Sequence, residues 1–191
     1  ASIIADRDAA LRQARQMLAT DPGAAVRQAR HLLGTGPDDP ALLRLAPAGP
    51  RRLGQVDEAV RFEQRAVQAS TRSPEHREAA RAIAVGDKDK AARILEGLIA
   101  RDATDVVALV MLGLQLSAGR QYRRAEELLV RATEAAPADA PARLALAEHL
   151  HQAKRPTEAL AQLDRLGPAA SNTKALSLRA HVLRDLGREE E

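Results

Sequence analysis

Cysteine and tryptophan are absent from this chain of 191 residues, and the aromatic complement is a single phenylalanine, Phe62, and a single tyrosine, Tyr122. Without cysteine there are neither disulfides nor thiolate metal sites, which fits the cytoplasm and leaves the periplasm open. The shortage of aromatic and β-branched residues removes the side chains that favour strands. No apolar run approaches the length of a membrane span, and no signal-peptide pattern opens the chain, so membrane insertion is not expected. Lysine is also scarce, with only Lys88, Lys90, Lys154 and Lys174, and the net charge of +3 rests on arginine. That charge is too mild for a phosphate-backbone footprint, and no aromatics are interleaved to stack on bases. Nucleic acid is not an expected partner. Position 1 is alanine rather than methionine, which we read as a processed N-terminus or a piece of a longer protein.

What the chain has in abundance is alanine and leucine, both strong helix formers, and the expected fold class is all-α. Ala91, Ala125 and Ala159 follow one another at intervals of 34 residues, and Ala59 lies 32 residues before the first of them. Each opens a helical stretch, and apolar residues at i, i+3, i+4 and i+7 are plainest in Ala125, Leu128, Leu129 and Ala132, and in Ala91, Ile94, Leu95 and Leu98. Between these stretches lies a second set of helical patterns in which small residues, Gly113 and Ala147, hold equivalent places. A fixed period in this range marks stacked helix pairs.

These residues resemble the tetratricopeptide repeat. Residues 106–139 carry the resemblance best, with Leu112–Gly113, Ala125, Leu129, Ala132 and Pro137. Residues 140–173 follow with Leu146–Ala147, Ala159, Leu163 and Leu166, although Ser171 stands at the usual proline place. Residues 72–105 form a third repeat with a poor first helix, and residues 40–71 an irregular one keeping Ala59 and Ala66. Residues 1–39 read as a degenerate capping unit of two similar helices, and residues 174–191 as an unfinished repeat or capping helix. Pro47, Gly49 and Pro50 stand where a first helix should run, and an interior proline costs roughly 3 kcal/mol or more. That helix is expected to be broken or shortened. The resemblance implies a right-handed superhelical solenoid of antiparallel helix pairs.

Catalytic signatures are missing. There is no phosphate loop, no dinucleotide fingerprint and no serine in a nucleophile-elbow context, so neither enzyme activity nor a cofactor is expected. Glu148 and His151 share a helical face and invite a metal or proton-transfer reading; a solvent-facing or groove-lining pair is the commoner state of histidine beside a carboxylate. His149 and His151, two apart, point away from one another. The arginines from Arg51 to Arg81 suit an acidic peptide, or simply a solvated face. Tyr122 precedes its helix where the family often keeps an aromatic for packing between repeats.

In this family the first helices line the concave surface. The resemblance therefore carries groove positions onto Arg44, His76, Val107, Val110, Leu114, Leu144, Glu148, His151 and Leu178, joined by Arg51 and Arg52 of the arginine cluster. The expected function is a scaffold that binds a protein or peptide in that groove. The chain also resembles the N-terminal region of bacterial proteins that fuse such repeats to a sulfotransferase, which would make it the binding region of a larger enzyme. A third expectation is a homodimer through the last helix, were Leu178, Val182, Leu183 and Leu186 left uncovered. The lysine–asparagine set that clamps a C-terminal carboxylate is not matched, since Leu114 and Glu148 stand where asparagine belongs.

Overall fold

The computed structural model describes residues 9–10, 12–14, 16–17, 20–34, 40–45, 56–71, 73–166 and 172–188. Among them every regular element is a helix. The helices are α1 (Pro22–Gly34), α2 (Pro40–Leu45), α3 (Val56–Thr71), α4 (Pro74–Ala84), α5 (Lys88–Arg101), α6 (Val106–Ala118), α7 (Tyr122–Ala135), α8 (Ala140–Gln152), α9 (Pro156–Asp164) and α10 (Thr173–Asp185). They divide into two compact units, one ending at Ser73 and the other beginning at Pro74. None of the described helices is long and apolar enough to cross a membrane. Pro47, Gly49 and Pro50 lie outside the described residues, as do Arg51 and Arg52.

The first unit packs α2 against α1 and α3. Its core joins Ala14, Ala29, Leu33, Leu42, Leu43, Leu45 and Ala66. Its one large aromatic, Phe62, is half-buried beneath two guanidinium groups, Arg30 at 5.8 Å and Arg65 at 5.9 Å from the ring centroid. Cations over a ring face are attracted by its quadrupole. Two arginines thus share the ring.

In the second unit each helix packs on the next, and the first helices of successive pairs, α4, α6, α8 and α10, also pack in a row. The recurring alanines are the reason. Ala91, Ala125 and Ala159 are wholly buried and let the second helix of each pair approach its neighbours. Gly113 is tighter still, because a Cβ there would lie 2.7 Å from Leu129 Cγ, inside van der Waals contact. The corresponding Ala147 is likewise fully buried.

Each pair is set in register by two local devices. The first is a carboxamide or carboxylate cap: Asp105, Asp139 and Asn172 accept from the backbone N–H of Ala108, Ala142 and Ala175 at 3.2, 2.7 and 2.8 Å. Each satisfies an amide that the opening turn of a helix leaves without a partner. Burial pushes the Asp139 carboxyl upward, against the lowering effect of the Ala142 amide.

The second device is the turn that ends the first helix of each pair. Gly86, Arg120, Lys154 and Gly187 have positive φ, at 80°, 60°, 62° and 68°. The amide after each donates across the turn, from Asp87 to Ala82, Gln121 to Leu116, Arg155 to Leu150 and Arg188 to Leu183, all at 2.9 Å. This is the left-handed helix ending that glycine favours. Arginine and lysine fill the left-handed position itself in the middle two repeats, although Gly119 stands one residue before Arg120.

The two devices also expose a shift. Cap and turn recur 34 residues apart through Asp139 and Lys154, but the next cap, Asn172, and the next turn, Gly187, each come after 33. The last repeat is one residue short, and a strict 34-residue count misplaces its side chains.

Candidate functional site

The row of first helices carries the candidate surface. On α6 the half-buried side chains are Val107, Val110, Met111, Leu114 and Gln115, four of them apolar. This helix reads VVALVMLGLQLSA, apolar on nearly every side, because its inner faces meet α5, α7 and α8 while the remainder stays partly open. Val110 and Leu114 reach across to the core around α8.

Counted from the caps, Val107, Val110 and Leu114 correspond to Pro141, Leu144 and Glu148 on α8, and to Lys174, Ser177 and His181 on α10. The one-residue shift therefore puts Ser177, not Leu178, at the place of Val110. Leu178 is partly buried and packs into the core. Together Glu148, Thr173, Lys174, Ser177, Leu178 and His181 line an open cleft of about 500 Å³ between α8 and α10.

Two of the residues carried over from the family are withdrawn from the surface. Leu144 is 7% exposed and belongs to the hydrophobic core. His76 is 4% exposed, and its Nε2 lies 3.0 Å from the Asp105 carboxylate, itself buried. It joins α4 to the cap of α6 and offers no face to a ligand. Arg44 is helical, but its side chain, like Arg51 and Arg52 as a whole, lies outside the described residues.

Glu148 and His151 do share a side of α8, yet each is committed to α10. Glu148 pairs with Lys174 at 2.7 Å, and His151 Nε2 lies 2.8 Å from Asp185 Oδ2. The histidine's hydrogen bond holds the Asp185 carboxyl below its ordinary range. No group of three potential metal ligands occurs among the described residues. The pair thus fastens the last helix, a role that spacing along one helix does not reveal.

His149 is fully buried. Its Nδ1 lies 2.9 Å from Ser117 Oγ, whose hydroxyl donates to Gln152 Oε1, also at 2.9 Å. Its ring lies 5.9 Å from that of Tyr122, tilted by 58°. Tyr122 opens α7, so the aromatic packs toward the following repeat. Beside this cluster Arg155 spans Glu126 of α7 and Glu158 of α9. Both carboxylates raise the guanidinium above its ordinary value, Glu158 most, and Glu158 is lowered in return.

The expected dimer surface needs correction in its residues. Val182 and Leu183 are buried, and Leu178 and Leu186 pack against the same core. Leu176, which the sequence pattern did not single out, is the exposed leucine of α10, at 56%. It corresponds to the fully buried Leu109 of α6.

Helix pairs repeating at 33–34 residues, closed by one turn geometry and stacked through alanine, define a helical-repeat protein. Residues 115–182 match the tetratricopeptide repeat family. Those residues are tetratricopeptide repeats, and the chain has the fold of tetratricopeptide repeat proteins. No curated protein matches the sequence. Among solved structures, a tetratricopeptide repeat protein from Parabacteroides merdae is 18% identical over 95% of this chain and 74% of its own, with a TM-score of 0.54. PilW, described as a widely conserved type IV pilus biogenesis factor, is 16% identical over 96% of this chain and 87% of its own, with a TM-score of 0.55. PilF of Pseudomonas aeruginosa is 14% identical over 96% and 86%, with a TM-score of 0.51. At such identities the likeness is one of fold.

Proposed function

We propose that this protein is a non-catalytic scaffold that binds a peptide or protein segment along α6, α8 and α10. The observation that carries the reading is the graded surface of that row. Val107, Val110 and Leu114 leave apolar area partly open on α6, and the cleft beside α10 adds the polar side chains of Glu148, Lys174, Ser177 and His181 to a lining that is otherwise largely apolar and includes Leu178. Apolar contact at one end supplies affinity, and charged groups at the other fix register and direction. The two charged groups of the cleft, Glu148 and Lys174, are engaged with each other in an ion pair that holds α8 to α10, which suits recognition better than bond making.

Selection from a phage-displayed peptide library tests the reading. Selected peptides should bind the native chain and lose at least about tenfold in affinity, roughly 1.4 kcal/mol, with Leu114→Asp or Lys174→Glu. The Glu127→Lys variant, on the second helix of the same repeat, should bind as the native chain does. Equal binding to all three variants would set the proposed surface aside.

A further inference from the structure

His149 is the most deeply buried ionisable group of the α6/α8 seam, and its hydrogen bonding is lopsided. The Ser117 hydroxyl is spent as a donor to Gln152, so the ring must donate from Nδ1 to Ser117 Oγ. Nε2 then carries a lone pair, and it has no hydrogen-bond partner among the described residues. In this tautomer the neutral ring is tolerated. A second proton would create an N–H that meets no acceptor among the described residues and a charge on a fully buried ring, and both are costly inside a protein.

The groups around the ring do not offset that cost. Ser117 faces it from α6, Tyr122 from the start of α7, and Gln152 from its own helix. The nearby charges are the Glu126 carboxylate of α7 and the Arg155 guanidinium at the start of α9, which oppose each other and are paired at 2.6 Å. Glu148 and His151, its neighbours on α8, are turned to Lys174 and Asp185 of α10. Burial is the dominant effect and pushes the imidazole below the ordinary histidine range.

We propose that His149 is an acid-sensitive joint: protonation of its ring opens the seam between α6 and α8. A group that is harder to protonate in the folded state stabilises the fold fully above its unfolded value, near pH 6.5, and that contribution is lost as pH falls. Because Leu114 and Glu148 lie on the two helices that part, opening the seam also disrupts the surface proposed for ligands. The joint itself does not depend on that proposal.

The test is amide exchange of the full chain across pH 7.5 to 5, corrected for intrinsic rates, alongside an NMR titration of the histidine rings. The His149 ring should titrate below the ordinary histidine range in the folded protein. The opening constant of α8 should rise by up to about tenfold for each pH unit below about 6.5. The His149→Gln variant should lose that pH dependence, and His151→Gln, which breaks the exposed pair with Asp185, should keep it. If His149→Gln does not fold, the native titration and exchange decide the matter alone. A His149 ring that titrates at or above the ordinary range would overturn the proposal. So would opening of α4 and α5 in step with α8, or loss of the acid response in His151→Gln.

Discussion

His76 and His149 each tie one first helix to the next, and they do so with different chemistry. At the α4/α6 seam the imidazole meets a buried carboxylate that also caps α6. At the α6/α8 seam it meets a hydroxyl that passes the bond on to an amide. A carboxylate accepts from the ring whatever else the ring binds, whereas the hydroxyl wire is complete only for one neutral tautomer. Neighbouring repeats with the same backbone can therefore differ in what disturbs them.

Substitutions on each side would break or sharpen this contrast. The largest effect is expected for Asp105→Ala, which removes both the buried carboxylate that meets His76 and a helix cap. A loss of about 3 kcal/mol or more in urea unfolding is expected; a loss near zero would show that the carboxylate is dispensable and the two seams alike. Gly113→Ala acts on α6, the helix both seams share. The added methyl meets Leu129, and overpacking of this kind costs about 1–3 kcal/mol. Ser117→Ala should cost about 1–2 kcal/mol by orphaning the His149 Nδ1–H, with loss of protection concentrated in α6 and α8. The smallest effect is a gain. Lys154→Gly relieves a left-handed backbone conformation just past the α6/α8 seam and should raise the unfolding free energy by roughly 0.5–1 kcal/mol. No gain would mean that the lysine side chain compensates for its own backbone.

The fold was legible where one residue type had to recur. Buried Ala91, Ala125 and Ala159 and the close approach at Gly113 are demands of packing, and they leave a period in the sequence. The candidate surface was less legible, for two physical reasons. A one-residue shortening between Leu163 and Asn172 shifts the numbering of every later position by one, so that a strict 34-residue count names the side chain about 100° around the helix from the true counterpart, Leu178 in place of Ser177. Burial also depends on partners far along the chain: His76 finds Asp105, 29 residues on, and His149 finds Ser117, 32 residues back. No local pattern announces either pairing. The histidine that looked chemically suggestive beside Glu148 is a fastener, and the one that points away from it is fully buried against Ser117 and Tyr122.

The four turns at Gly86, Arg120, Lys154 and Gly187 are closed by main-chain bonds alone, and all four have the same shape although their side chains differ. The missing residue of the last repeat falls on the opposite edge, where one pair is joined to the next. One margin of the array thus behaves as a fixed hinge line and the other as an adjustable hem. Grafted peptides, epitope tags or natural length changes belong on the adjustable margin, where a residue can be gained or lost without twisting the helices out of step.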